Sequence, residues 1–203
     1  MTAAAPAAIR PVRPTDHDAL YDICLRTGAA GEDATALFED HRLLGDLFVV
    51  PYAVLEPEHA FVLDDGTGQA VGYAVGALDT TAFDERLEAE WWPAARARHA
   101  DPAGVDSIEG LFLGYLHGPP RADADLVARY PSHLHIDLLP PVQGQGWGRR
   151  LMEALFDALR ADGSTGVHLG VAEANRRAIA FYAHLGMTDL GSDGITRRYG
   201  LVL

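Results

Sequence analysis

The chain contains no lysine: all 16 of its basic groups are arginine. Schiff-base chemistry, a P-loop lysine and a lysine general base are therefore excluded. Cysteine is almost as scarce. The single Cys24 rules out an internal disulfide and a multi-cysteine metal cage. Its place beside Leu20 and Ile23 at helical spacing marks it as a small core residue rather than a nucleophile. No apolar run approaches the ~20 residues that span a bilayer, and the best stretch, Phe48 to Leu55, is broken by Pro51. Positive charge is short as well: 29 acidic groups leave the chain at −13. That is the wrong sign for a partner of nucleic acid or of an anionic membrane, and it suits a cationic substrate. The Ala-rich start, Met1 to Ile9, lacks the basic residues of a secretory signal and reads as a frayed end. A cytoplasmic location follows from these absences.

What remains is an ordinary globular composition, 48% apolar and 22% charged over 203 residues, read as one domain covering 1–203. Ala8 to Pro14 suggests a short edge strand, and Thr15 or Asp16 a cap for a helix through Leu20, Ile23 and Cys24 that Gly28 ends. Ala60–Leu63 and Ala70–Leu78 flank Asp64-Asp65-Gly66-Thr67-Gly68 as a hairpin. Residues 80–132 offer helical pieces near Phe83–Arg98 and Ile108–Leu116, parted at Asp101–Gly104 and closed by Gly118-Pro119-Pro120, and read as a helical insertion. Strand His133–Leu139, helix Gly148–Ala161, strand Val167–Val171, helix Arg176–Leu185 and a last strand at Arg197–Leu203 complete the pattern. Strands alternating with helices predict an α/β (α+β) fold, a mixed sheet with helices on both faces.

Chemistry concentrates in Leu134 to Arg150. An apolar strand enters a loop with glycines at 144, 146 and 148, and an amphipathic helix leaves through Leu151, Met152, Leu155, Phe156 and Leu159. Glycines admit a ligand close to the backbone, and a helix start offers unpaired N–H groups and a positive dipole end. The loop fits a phosphate, yet its G-x-G-x-G spacing is neither the dinucleotide fingerprint nor a P-loop. A glycine-rich turn that only packs a helix on a sheet would read the same. On the strand itself His133, His135 and Asp137 alternate, so one face carries all three while Leu134, Ile136 and Leu138 point the other way. Such a polar row suits a cleft. Zinc is set aside, because three alternating positions on one strand rarely converge on an ion.

Two signatures in order resemble the GCN5-related N-acetyltransferase (GNAT) superfamily. Gln143-x-x-Gly146-x-Gly148 is similar to its pyrophosphate loop, and Asn175, Ala178, Phe181-Tyr182 and Leu185-Gly186-Met187 follow the next strand as its second signature does. Tyr73 to Asp79 with Tyr130 to Asp137 further resembles bacterial acetyltransferases compared with the C-terminal acetyltransferase-like domain of O-GlcNAcase, a group that the insertion at 80–132 also fits. The resemblance implies the GNAT fold, with its sheet splayed between strands 133–139 and 167–171, and acetyl-CoA in the splay as donor to an amine. It implies backbone contacts to pantetheine from Leu138 and Leu139. Amides of Gln143, Gly144, Gln145, Gly146, Trp147, Gly148 and Arg149 would take the pyrophosphate, with Arg149 or Arg176 outside. Asn175 would bond pantetheine or hold the splayed strand, unless it is simply a helix cap, and Ala178, Phe181 and Tyr182 would line the cofactor. The family's tyrosine that protonates the leaving thiolate matches Tyr182, while Asp137 or His135 is placed as base. The acceptor would be cationic, a small amine or a peptide or protein, drawn by Asp79, Asp84, Glu85, Glu88 and Glu90; a homodimer is compatible. A module of the same fold that binds acetyl-CoA or a peptide without turnover is the alternative.

Overall fold

One seven-stranded sheet organises residues 5–99 and 107–203, those that the computed structural model describes. Residues 1–4 of the N-terminal tail and the Asp101–Gly104 break lie outside them. The strands are β1 (Ala8–Pro11), β2 (Ala60–Asp64), β3 (Ala70–Ala77), β4 (Ser132–Leu138), β5 (Gly166–Ala172), β6 (Thr188–Ser192) and β7 (Thr196–Val202). They run in the order β1-β2-β3-β4-β5-β7-β6, and β4–β5 is the parallel pair in an otherwise antiparallel sheet. The N-terminal segment is not frayed as far as Ile9: Ala8 and Ile9 pair with Asp64 and Leu63. Asp16 does not cap the first helix with its side chain either. Its carboxylate turns back to take the Arg10 guanidinium at 2.6 and 2.9 Å and the Arg13 N–H at 2.7 Å. Arg10 also reaches Asp64 at 2.8 Å, so one guanidinium fastens β1 to the hairpin beside it.

The first layer of helices comprises α1 (His17–Leu25), α2 (Leu43–Phe48) and α3 (Val50–Leu55). Between β3 and β4 come α4 (Thr80–Arg86), α5 (Trp92–Arg98), α6 (Ile108–His117) and α7 (Ala124–Arg129). The stretch expected as one helix over Phe83–Arg98 is broken by a π turn at Leu87–Trp91. Pro93 has no N–H to give the carbonyl four residues back, and the wider turn absorbs that loss. These helices bury Leu20, Tyr52, Phe83 and Leu116 against Tyr73, Val75 and Ala77 of β3.

On the opposite face α8 (Trp147–Ala161) buries Leu151, Met152, Leu155, Phe156 and Leu159, the apolar stripe visible in the sequence. Each such side chain contributes about 1.5–3 kcal/mol by leaving water. Ala74 and Leu134 meet that stripe from the sheet, so successive residues of β3 feed two separate cores. Helix α9 (Arg176–His184) follows β5 and sends Tyr182 into the second core.

Candidate active site

Strands β4 and β5 pair at two rungs only, Ser132 with Val167 and His133 with His168. Beyond His133 the strands part, although β4 keeps its full register with β3 from His133 to Leu138. Leu139 donates its N–H to the Val71 carbonyl at 3.0 Å, and its own carbonyl accepts from Val142 at 3.1 Å. Hydrogen-bonding alternation then turns the N–H and C=O of Ile136 and Leu138 toward the opening. Of the two residues expected to offer backbone groups there, Leu139 therefore does not, and Ile136 takes its place. The Leu138 carbonyl is partly occupied already, by the Gln143 side-chain amide at 2.6 Å.

At the end of β4 the chain turns through Pro140–Val142 into the glycine loop. Gly144 and Gly146 sit at φ +74° and +82°, and Gly146 is the N-cap of α8. The first amide of the helix to reach a carbonyl is that of Arg150, on Gly146 at 3.3 Å. Among the described residues the N–H groups of residues 144–149 have no acceptor. Six orphan donors at a helix start form a strong anion cradle. A Cβ at Gly144 or Gly146 would meet nothing within 4 Å, so the cradle is open. At the next position a Cβ on Gly148 would stand 3.2 Å from the Phe181 ring, which closes α9 against the helix start.

The arginines around the cradle are already engaged. Arg149 reaches the His184 carbonyl at 3.4 Å, Arg176 pairs with Glu173 at 3.1 Å, and Arg150 lies over the Trp147 ring at 4.7 Å. Arg177, which sequence reasoning passed over, donates to the Gln143 side-chain oxygen Oε1; its only signal was its place in the first turn of a helix facing the loop. Asn175 caps α9, its Oδ1 accepting from Ala178 N at 3.0 Å. Its amide nitrogen is turned to the loop before α2, 3.1 Å from where a Cβ on Gly31 would lie.

The polar row of β4 faces α1, α3 and α4. Thr80 donates its hydroxyl proton to the Pro131 carbonyl at 2.8 Å, so it accepts from His133 Nδ1 at 2.8 Å. That leaves His133 Nε2 to accept from the Tyr52 hydroxyl at 2.7 Å, and makes His135 Nε2 the donor to the same oxygen at 3.2 Å. Burial, with His168 nearby, pushes the His135 imidazole down to about 4, and burial with both neighbouring histidines holds His133 well below the usual range. Both rings are neutral at physiological pH. Asp137 behaves oppositely: burial pushes its carboxyl up to about 6, although the Tyr73 hydroxyl donates to it. Tyr182 is 7% exposed, and its hydroxyl has no hydrogen-bond partner among the described residues. Burial and the Asp137 charge hold its proton firmly. Cys24 is a buried thiol beside Tyr73 and Asp137, raised by burial. Tyr52, Tyr73 and Thr80 carried no such role in the sequence, because each meets its partner across more than 50 residues.

Cradle, opening and polar row line one continuous cleft of about 2650 Å³. A compact small-molecule pocket has about 300–1,000 Å³, so this one takes an elongated ligand with room beside it. The model of the acetyltransferase (GNAT) family matches residues 31–187. The chain belongs to that family. It is 43% identical to SsHAT in its crystal structure, with a TM-score of 0.92 over 97% of this chain and 98% of that one. YncA of Salmonella typhimurium, solved with its cofactor acetyl-CoA, shares the fold at 18% identity and a TM-score of 0.56, over 97% of this chain and 94% of the other. Protein O-GlcNAcase of Rattus norvegicus is 28% identical over 187 residues, 90% of this chain but 20% of the rat protein, and the mouse protein is similar at 27%. This GNAT chain thus spans about a fifth of the length of those curated relatives. No helix among its described residues is long and apolar enough to cross a membrane.

Proposed function

We propose that the protein is an acetyl-CoA-dependent N-acetyltransferase, in which an amine attacks the thioester directly inside the β4–β5 opening. The observation that carries this reading is the row of six orphan amides continuing from an open strand edge. Residues 144–149 would hold the pyrophosphate, and Ile136 with the Leu138 N–H would line the pantetheine arm. Asp137 takes the proton of the incoming ammonium: at about 6 it is ionised at neutral pH yet basic enough to accept a proton. His135, at about 4, is the poorer base. The new C–N bond forms as the C–S bond breaks, and Tyr182 gives its proton to the departing thiolate. An unpartnered hydroxyl at the cleft suits that task.

The test is release of free CoA thiol with a panel of primary amines, beside calorimetric binding of CoA. Gly146→Trp should abolish CoA binding, because its side chain enters the cradle. Unchanged affinity in that variant sinks the assignment of the loop, whereas tight binding without thiol release for any amine favours a non-catalytic acetyl-CoA-binding module.

A further inference from the structure

The insertion helices bring Asp84, Glu85 and Glu88 to the wall of the cleft, with Asp79 and Glu90 outside its lining; Glu85 is exposed to solvent, and most of the others are spent. Asp79 caps α4 through the Ala82 N–H at 2.9 Å. Arg96 grips both oxygens of Glu88 at 2.9 Å, and Arg86 takes Glu90 at 3.0 Å. Asp84 is different. It is partly buried in the cleft wall and has no hydrogen bond or ion pair among the described residues. Burial, with Glu88 nearby, raises its carboxyl above the usual range, as expected of a charge held without a counterion.

Its position follows from the helix. Asp84 stands four residues after Thr80, on the same face of α4, and Thr80 touches His133. Asp84 thus looks over the His133 end of the polar row and shares the cleft wall with Tyr52 and Tyr115, whose phenols are raised by burial first and by the Asp84 charge second. Aromatic rings continue from there along the wall: Tyr115 lies 6.1 Å from Phe48, and Phe48 lies 5.5 Å from His135. An unpaired carboxylate in a wall that also carries aromatic rings suits a cation. The opposite end of the row is Asp137, four strand residues from His133, or ~13 Å at about 3.3 Å each.

We propose that Asp84 selects acceptors carrying a second cationic group, held on the order of 10 Å from the amine that reacts. The proposal rests on the acetyl-transfer reading of the cleft and names the acceptor class for it. Two sources supply that chemistry, a free diamine or polyamine and a basic peptide whose lysine lies near another cation.

The experiment compares 1,7-diaminoheptane with 1-aminoheptane, acetyl-CoA being the donor. A charge-assisted contact predicts roughly a tenfold to hundredfold higher kcat/KM for the diamine. Asp84→Asn should bring the ratio to near one, while Glu58→Gln, which removes an exposed charge outside the cleft, leaves it in place. A ratio that survives Asp84→Asn overturns the proposal. Calorimetry of the diamine on CoA-loaded protein separates the two readings. Diamine binding that Asp84→Asn removes, without turnover of any amine, supports the subsite and fails the acetyl-transfer reading; no diamine binding by the unaltered protein overturns the subsite. A Lys peptide with Arg two residues away, set against its Ala counterpart, assigns the source: a peptide effect exceeding the diamine effect points to a protein acceptor.

Discussion

Replacing Asp137 by Asn should slow the enzyme and stabilise the fold at once. Burial pushes the Asp137 carboxyl up to about 6 in the folded protein, against ~3.9 in an unfolded chain. Between those values the folded state binds more protons than the unfolded one, so stability falls as pH rises from about 4 to 6 and stays reduced above that range. The full cost is about 3 kcal/mol. Asn keeps an oxygen for the Tyr73 hydroxyl, but as a neutral acceptor, which returns about 1 kcal/mol of the gain. At 2–4 °C per kcal/mol for a chain of this size, Asp137→Asn should melt roughly 4–8 °C higher at pH 7.5. The two proteins should coincide near pH 4. Thermal unfolding monitored by circular dichroism across pH 4–8 reads this directly, and kcat measured on the same samples should fall by about 10²–10⁴-fold near neutrality, with partial recovery toward the pKa of the amine. An Asp137→Asn protein that melts at or below the parent at every pH would refute the buried ionised carboxylate.

Other consequences are as specific. Tyr182→Phe should lower kcat toward the mild end of about 10²–10⁴-fold with the Kd of CoA unchanged, since a departing thiolate of pKa ~8.5 needs a proton donor less than most leaving groups; an unchanged kcat removes Tyr182 from proton transfer. His59 is buried between Glu56 at 3.0 Å and Asp162 at 2.8 Å, and Glu56 first among them holds its proton above the usual range. The stability of that bridge is complete below ~6.5 and lost as pH rises through the folded value, so the melting gap between the parent and His59→Gln should narrow from pH 5.5 to 8.5. Gly45→Ala would place a Cβ 2.1 Å from the Tyr21 ring, which Arg42 covers at 3.9 Å and Asp46 anchors at 2.5 Å; a loss of about 1–3 kcal/mol is expected in urea unfolding. Finally, kcat/KM for a cationic acceptor should fall from low to physiological salt, as screening weakens attraction to a chain of charge −13.

Short-range patterns carried most of the fold and half of the site. The β4 alternation, the α8 stripe and the glycine loop each lie within about 15 consecutive residues, where period and turn chemistry act alone. Strand β6 escaped because four of its five residues are exposed and it has no apolar alternation to read. Leu139 turns its N–H to β3 rather than to the opening, a matter of hydrogen-bond phase that is set by the register with the partner strand and not by local sequence. The carboxylates of the insertion looked equivalent until Arg86 and Arg96 were seen to neutralise Glu90 and Glu88. The Thr80–His133–Tyr52–His135 chain, which fixes the tautomer of each ring, joins three separate elements and leaves no trace in local sequence.

The two-rung pairing of β4 with β5 gives this protein a raw edge in the middle of its sheet. Exposed strand edges invite other chains and are normally kept short, charged or capped at the perimeter. Here the edge lies inside the cleft that the glycine loop and α9 also line, so it can take a single extended arm laid along it. The same opening makes the sheet two rafts, β1 to β4 and β5 to β6, moored to each other by Ser132 and His133. An occupant of the gap would act as a third mooring. Amides of Ile136 and Leu138, although central in the molecule, should therefore trade hydrogen with water as quickly as those of a border strand until the gap is filled.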